Sequence, residues 1–265
     1  LFPYTTLFRS LVTPGVRIWD KANVEGKLVF HDLVLTAQEY VPQMKAEGAD
    51  VVVANDPDAD RCAVAAVVDG AWRMLTGDEL GAILGDDAIR RGVSGTFANS
   101  IVSSTLLGRM ASAAGRDHQT TLTGFKWIGR VPGLAFGYEE AIGYCTDPDA
   151  VADKDGITAA LVACQLAASA KLAGRSLLDT LADLAVEHGL YATAPLSFRV
   201  ADPALITAAL ARLAADPPKL LAGAPVIDFV DLGAGYLGLA PTDGYRLETD
   251  TASGETRVSN FAEYG

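Results

Sequence analysis

Three aspartates at alternate positions directly follow a run of apolar residues, and this arrangement constrains the chain more than any other feature. The run is Val51-Val52-Val53-Ala54, and the next segment reads Asn55-Asp56-Pro57-Asp58-Ala59-Asp60-Arg61. The run predicts a buried strand, so three carboxylates gather where that strand ends. Like charges held close together repel unless a cation or protons neutralise them. Carboxylate oxygens suit Mg²⁺ or Ca²⁺, and Mg²⁺ usually accompanies phosphate chemistry, so the segment predicts a metal site that serves a phosphorylated substrate.

Other interpretations of the acidic segment compete with this one. An EF-hand calcium loop also opens with Asp-x-Asp-x-Asp, but it needs Gly at its sixth position and Glu at its twelfth. Arg61 and Val67 occupy those positions, which excludes it. A dehalogenase-type phosphatase with Asp56 as nucleophile stays open, although it leaves Asp60 and Arg61 without a role. A non-catalytic Ca²⁺-binding or purely structural module stays open as well. A solvated acidic turn also stays open, but three acids and Arg61 between two apolar runs make the turn the less favoured interpretation.

Five segments of the chain, in one order, resemble motifs of a single family. The acidic segment resembles the metal loop of the α-D-phosphohexomutase family, the phosphoglucomutases and phosphomannomutases. Residues 75–80 (LTGDEL) resemble the next family segment, and residues 123–129 (TGFKWIG) resemble its third-domain substrate loop. Residues 136–144 (FGYEEAIGY) resemble its sugar-recognition loop, and residues 153–156 (DKDG) resemble a signature that opens a long helix. Five motifs in family order are far more specific than any one of them.

The resemblance implies a reaction and a metal centre. An enzyme phosphoserine donates its phosphoryl group to a hexose 1-phosphate or 6-phosphate, and the bisphosphate intermediate then returns its other phosphoryl group to the serine. Asp56, Asp58 and Asp60 match the Mg²⁺ ligands, and the metal neutralises charge on the transferring group. Arg61 is the expected catalytic residue, placing a phosphate oxygen by charge-assisted hydrogen bonds, while an ion pair with the acids is its structural alternative.

The resemblance also implies the residues that bind the sugar phosphate. Glu139 and Glu140 are expected to accept hydrogen bonds from sugar hydroxyls. Adjacent residues on extended backbone point opposite ways, so one of the two can be structural, and alignment with the family's loop favours Glu139 as the ligand. Gly124 and Lys126 are expected at a phosphate or a ring hydroxyl. The sugar stays open between glucose and mannose, and the loop resembles phosphoglucomutase-like and phosphopentomutase-like members more than dedicated phosphomannomutases.

Several other polar or aromatic residues are assigned structural roles. We expect Trp127 in the core and Lys154, between two aspartates, as an ion-pair hub near a domain junction. His118 and His188 carry no motif and are assigned to the surface. The sequence offers no base to activate Ser103 and Ser104, which are interpreted as a helix start.

Bulk properties exclude some classes of function. The chain has 265 residues, half of them apolar, and a formal charge of −12, which disfavours nucleic acid as a partner. Cys62, Cys145 and Cys164 form neither a zinc pattern nor a disulfide framework, which predicts a cytoplasmic protein. The apolar stretch 157–172 is too short and too weakly hydrophobic to span a bilayer, and no signal peptide is found, so no membrane partner is expected.

The pattern along the chain predicts α/β architecture with mixed-sheet phosphohexomutase-type domains. Residues 1–10 resemble the read-through translation of a sequencing-library adapter and are set aside as an artefact. Residues 11–73 are assigned to the C-terminal part of domain II, residues 74–188 to domain III, and residues 189–265 to part of a smaller α+β domain IV. Neither the family's phosphoserine loop nor its domain IV phosphate loop is matched, so we expect weak metal binding and no turnover by this chain alone. Helices are predicted at 37–47, 77–91, 104–114, just after Gly124, 155–172, 176–187 and 203–214, and strands at 51–54, 62–68, 72–75, 96–102, 120–122, 134–137, 196–200 and 226–232.

Overall fold

The apolar run before the aspartates is a strand in the computed structural model, which describes residues 49–68, 70–196, 200–202, 204–250 and 256–261. This strand, β1 (Val51–Asn55), pairs antiparallel with β2 (Cys62–Val68), and β2 pairs antiparallel with β3 (Ala71–Met74). Val52 and Val53 are buried, as a β-branched run requires. The connection between β1 and β2, residues 56–61, carries the three aspartates and is called the acid loop below.

A second, four-stranded sheet follows, with the order β5-β4-β6-β7. Its central strand β4 runs parallel to both neighbours, whereas β7 is antiparallel to β6, so the sheet is mixed and the predicted fold class is confirmed. Its strands are β4 (Thr96–Ser100), β5 (Asp117–Thr121), β6 (Leu134–Glu139) and β7 (Gly143–Cys145). The helices of this part of the chain are α1 (Gly77–Arg90), α2 (Leu106–Ala113), α3 (Phe125–Ile128), α4 (Gly156–Leu172) and α5 (Leu177–His188).

Helices cover both faces of the mixed sheet, because successive residues of its strands pack on opposite faces and both faces are apolar. On β6, Phe136 and Tyr138 are buried in the cluster that includes α1 and α2. Gly137, between them, lies against Ile128 of α3 on the opposite face, where a β-carbon would collide with that side chain. The first cluster also contains Val53 and Val64 of the three-stranded sheet, so one core runs continuously from the acid loop's strands to the mixed sheet.

Local capping explains why the long helices begin where they do. Thr76 and Glu79 form a capping box on α1, and Ser176 and Asp179 form a second one on α5. The Asp155 carboxylate accepts the backbone N–H groups of Ile157 and Thr158 at the start of α4. The helix predicted at 104–114 begins only at Leu106, because Ser103 and Ser104 have other partners.

The chain divides into two compact units, Leu1–Thr193 and Ala194–Gly265. The second unit contains four antiparallel strands in the order β11-β10-β9-β8. Its elements are α6 (Ala204–Ala215), β8 (Leu220–Leu221), β9 (Ala224–Asp231), a 3-10 turn (Leu232–Ala234), β10 (Tyr245–Asp250) and β11 (Thr256–Phe261). Strands β10 and β11 were not predicted, although Leu247 and Thr249 of β10 alternate inward and are fully buried. The finer division into parts of three domains stays a prediction.

Some predicted elements fail or cannot be compared. The helix at 37–47 lies outside the described residues, as do residues 197–199 of the strand predicted at 196–200. Leu196 and Val200, the two described ends of this predicted strand, belong to no strand and are exposed. Strand β7 was missed because its three residues are too few to show a period.

Within the described residues, no single helix combines the length and hydropathy needed to cross a membrane. Helices α4 and α5 reach them only together, across a bend of 88°.

Candidate metal and sugar-phosphate site

The acid loop brings its three carboxylates together, as predicted from the sequence. Ligand oxygens of Asp56, Asp58 and Asp60 all lie within 4.8 Å of one another. The loop is closed by its own backbone, since the Arg61 N–H donates to Asp56 Oδ1 at 3.0 Å. The Asn55 side-chain amide donates to the Arg61 carbonyl at 2.7 Å, which ties the end of β1 to the start of β2.

The electrostatics of the acid loop suit a divalent cation. The pKa of Asp56 is raised to about 6, mainly by burial; the Arg61 N–H opposes the rise, and the carboxylates of Asp60 and Asp58 add to it. Repulsion of this kind is relieved by a cation as well as by protons. The carboxylates of half-buried Asp56 and Asp60 and of exposed Asp58 form an all-oxygen donor set of the hard type that Mg²⁺ and Ca²⁺ take. The residues therefore fit a divalent metal.

Lys154 already supplies one positive charge to this cluster. Its Nζ lies 2.9 Å from Asp60 Oδ2 and 3.5 Å from Asp153 Oδ1, which confirms the predicted ion-pair hub. Burial lowers the pKa of Lys154, but the carboxylates of Asp60, Asp153 and Glu139 outweigh it and leave the pKa raised. Arg61 also lies near Asp60, with Nε 4.0 Å from Oδ1 and its side chain 45% exposed.

The acid loop lies against the turn between β6 and β7, residues 139–143, which we call the sugar loop. Arg61 pairs with Gly143 in an isolated antiparallel bridge, and the Cys62 N–H donates to the Ile142 carbonyl at 3.0 Å. Residues 153–156 close the other side, where the Gly156 N–H donates to the Ala59 carbonyl at 3.0 Å. Segments that are 80 or more residues apart in the sequence therefore share one site.

Glu139 is the sugar-loop carboxylate that faces this cluster. It is 6% exposed. Burial raises the pKa of Glu139, and the charges of Lys154 and Arg61 oppose that rise, while Asp60 reinforces it. The structure thus brings Glu139 together with the acid loop and both cations.

Glu140 turns to a different environment. Its Oε2 accepts the hydroxyl groups of Ser100 at 2.8 Å and Ser103 at 3.0 Å, and its N–H donates to Ser103 Oγ at 3.1 Å. This role of Ser103 differs from the prediction, which places Ser103 at a helix start. The available signal was a pair of serines at the end of β4, the parallel neighbour of the strand that carries Glu139.

Asp78 was not predicted as a site residue, yet its carboxylate accepts hydrogen bonds from three separate segments next to the sugar loop. Its Oδ1 accepts the Tyr138 hydroxyl at 2.9 Å and the Ser104 N–H at 2.7 Å, and its Oδ2 accepts the Thr193 hydroxyl at 2.6 Å. The preceding residue, Gly77, packs so closely against the sugar loop that a β-carbon would collide with the Glu140 carbonyl. The 75–80 motif thus supports the sugar loop from beneath.

The substrate-loop residues Gly124 and Lys126 lie at the start of α3. Gly124 has a φ of 104°, which favours glycine. Phe125 and Ile128 point inward, so Lys126 is exposed and its Nζ lies 5.6 Å from the Trp127 ring. The prediction that Trp127 is a core residue is wrong, since one turn of helix can bury only one side and Trp127 is 37% exposed.

The surface assignments of two histidines are also wrong. His118 is half-buried, with Nε2 2.8 Å from Asn99 Oδ1. The side chain of His188 is only 8% exposed. Neither position carries a periodic signal strong enough to predict burial from sequence.

An acid loop whose three carboxylates fit a divalent cation thus lies against a buried glutamate at the end of a strand of a mixed α/β sheet. Comparison with known proteins identifies the family of the chain. The family model for phosphoglucomutase/phosphomannomutase, alpha/beta/alpha domain III, matches residues 76–187. A Haemophilus influenzae protein named "Probable phosphomannomutase" is 43% identical over 190 residues, which cover 71% of this chain and 39% of that protein. Human phosphopentomutase is 40% identical over 164 residues, 55% of this chain and 27% of that protein.

A solved structure supports the fold. A Thermus thermophilus protein described as a phosphomannomutase superposes with a TM-score of 0.58 and 22% identity, covering 85% of this chain and 46% of that one. The chain belongs to the α-D-phosphohexomutase family, and it spans less than half the length of these relatives.

Proposed function

We propose that this chain supplies the metal centre and sugar-recognition loop of a sugar-phosphate mutase, which interconverts sugar 1-phosphate and 6-phosphate through a phosphoserine and a bisphosphate intermediate. The observation that carries the proposal is the convergence of Asp56, Asp58 and Asp60 with Glu139 across the paired acid and sugar loops. The relatives' names as phosphomannomutase and phosphopentomutase support the same reaction class.

Each residue of the site has a role that its chemistry allows. Asp56, Asp58 and Asp60 would hold Mg²⁺, which when bound supplies positive charge to the phosphoryl group in transfer. Arg61 donates charge-assisted hydrogen bonds to a phosphate oxygen. Glu139 accepts hydrogen bonds from sugar hydroxyls in a buried setting, where an unpaired hydroxyl would be costly.

Two lysines complete this proposal, one as a substrate contact and one as an ion-pair partner of the acid loop. Lys126 is exposed beside Gly124 and free to reach a phosphate group, while Lys154 keeps Asp60 in place. The sugar is glucose or mannose, or a pentose, whose second phosphate position is C5 because it has no sixth carbon. Three unpaired cysteines support a cytoplasmic location.

Calorimetry tests the metal centre. We expect the chain to bind Mg²⁺, and Asp58→Asn to weaken binding by about tenfold or more because it removes one ligand charge. Asp117→Asn, which removes an exposed acid on β5, is the matched control and leaves binding unchanged. Binding of Ca²⁺ with clear preference over Mg²⁺ would contradict the mutase and support a calcium-binding module.

A trapping experiment separates the mutase from a dehalogenase-type phosphatase. Incubation with Mg²⁺ and glucose 1-phosphate that is radiolabelled in its phosphate group should leave no hydroxylamine-sensitive label on Asp56. Stable phosphoaspartate at Asp56, lost in Asp56→Asn, would overturn the assignment of Asp56 as a metal ligand.

A further inference from the structure

Glu140 is anchored to the protein by both its side chain and its backbone. Oε2 accepts from the hydroxyls of Ser100 and Ser103, and the Glu140 N–H donates back to the Ser103 oxygen. The carbonyl of Glu140 packs on Gly77, where no side chain would fit. The Oε2 atom, the N–H and the carbonyl of Glu140 thus all contact other residues of the protein.

The two serines are arranged for this carboxylate. They are 2% and 8% exposed, and their oxygens lie 2.8 Å apart. Each hydroxyl has a single proton, so two hydroxyls this close to one carboxylate oxygen can both donate to it. Without Glu140, one of the two serines could still donate to the other, but the second hydroxyl proton would lose its acceptor in a buried position, which is costly.

The turn that follows needs such an anchor. Ile142 has a φ of 58°, which is a strained conformation for a β-branched residue. Its carbonyl is held by the Cys62 N–H at the start of β2. The turn is therefore pinned at Glu140 on one side and at the acid loop on the other, with Glu139 directed between them.

We propose that Ser100 and Ser103 are positioning residues, which act through Glu140 to hold the sugar loop so that Glu139 alone of the two glutamates reads the sugar. The proposal rests on the proposed function for its ligand. It assigns Glu140 to positioning rather than to sugar binding, which divides the two adjacent carboxylates by role.

The test uses the whole chain with Mg²⁺ and α-D-glucose 1-phosphate, measured by calorimetry. Glu140→Gln should keep sugar-phosphate affinity within about threefold, because its side-chain oxygen still accepts both hydroxyl protons. Glu140→Ala and the double variant Ser100→Ala/Ser103→Ala should each lose about tenfold or more, with Mg²⁺ affinity unchanged. Ser112→Ala, an exposed serine on α2, is the control. Equal losses in Glu140→Gln and Glu139→Gln, or wild-type affinity in the double serine variant, would overturn the proposal.

Hydrogen exchange provides a readout that needs no ligand. The amides of Glu140 and Cys62, which donate to Ser103 and Ile142, should exchange faster in Glu140→Ala and in the double serine variant but not in Glu140→Gln. Unchanged exchange in the double variant would defeat the positioning role. If exchange behaves as expected while no variant or wild type binds the sugar phosphate, the proposed function fails and the positioning role stands.

Discussion

Gly156 shows how much a single residue decides in this site. A β-carbon there would collide with the Arg61 carbonyl and crowd the Asn55 amide, the two groups that close the acid loop. The glycine permits the start of α4 to approach the loop and donate its N–H to Ala59. The motif at the start of α4 thereby constrains the acid loop, which lies about 95 residues earlier in the chain.

We expect Gly156→Ala to destabilise the chain by about 1–3 kcal/mol, because the added methyl group forces backbone apart. Mg²⁺ affinity should fall with it, as the Asn55–Arg61 closure is disturbed. Urea unfolding and calorimetry measure the two effects. Ala168→Gly, at an exposed position of α4, costs about 1 kcal/mol through helix propensity and should leave Mg²⁺ affinity intact. Loss of Mg²⁺ affinity in both variants would show that stability alone explains the effect.

Two residues, His118 and Asp56, are expected to make the free energy of unfolding depend on pH. Burial lowers the pKa of His118 below the usual 6.5, so the unfolded chain takes up a proton more readily than the folded one. The contribution of His118 to the free energy of unfolding is fully present above pH 6.5. It is lost as the pH falls through the lower pKa of the folded state. Asp56 acts in the opposite direction, since its folded pKa of about 6 exceeds the usual 3.8 and its contribution is lost as pH rises through 6.

The His118 effect is isolated by His118→Gln. From pH 7 to pH 5 the wild type should lose more unfolding free energy than the variant, because only the wild type has the histidine to protonate. Urea unfolding at pH 5, 6 and 7 gives the comparison. Parallel curves for the two proteins would exclude this origin of the pH dependence.

At the scale of elements, helix α1 connects local capping to the site. The Thr76 hydroxyl accepts the Glu79 N–H at 3.1 Å, and Glu79 Oε2 accepts the Thr76 N–H at 2.8 Å. The helix then presents Gly77 to the sugar loop and Asp78 to the buried hydroxyl network. The two residues that cap helix α1 therefore flank Gly77, which packs against the sugar loop, and Asp78, which accepts hydrogen bonds from the buried network.

Thr76→Ala should cost about 1 kcal/mol of stability, since it leaves the Glu79 N–H without its partner. Thr76→Ser keeps the capping oxygen and should stay close to wild type. Thermal unfolding followed by circular dichroism measures the difference. An alanine variant as stable as the serine variant would show that the cap contributes little.

Elements with a clear period or cap were predictable, and short ones were not. The helices at 77–90, 156–172 and 177–188 were predicted to within two residues, and in the structure the capping residues Thr76, Asp155 and Ser176 mark their starts. The short helix α3 was also predicted, but one turn has no period to show which side faces the core, and Trp127 was placed on the wrong side.

At the scale of the whole chain, the two compact units meet in sequence within a segment without helix or strand. Leu190 and Leu196 there are 83% and 80% exposed. Limited chymotrypsin digestion should cut first between residues 190 and 196 and release two resistant fragments, because exposed, irregular backbone is the preferred site of cleavage. Early cleavage within β1–β3 instead would contradict the division into these units.

The sequence by itself determined the local and chemical features: the strand that ends in three aspartates, the capped helices, the mixed α/β class and the family. These depend on residues close together in the chain, where period, caps and charge spacing are visible. Only the tertiary structure decided which carboxylate of the sugar loop faces the acid loop, because Ser100 and Ser103 take Glu140 from another strand. It also decided that Lys154 neutralises Asp60 and that glycines at 77 and 156 let the motifs meet. Contacts between distant segments arise from packing, and no spacing along the chain encodes them.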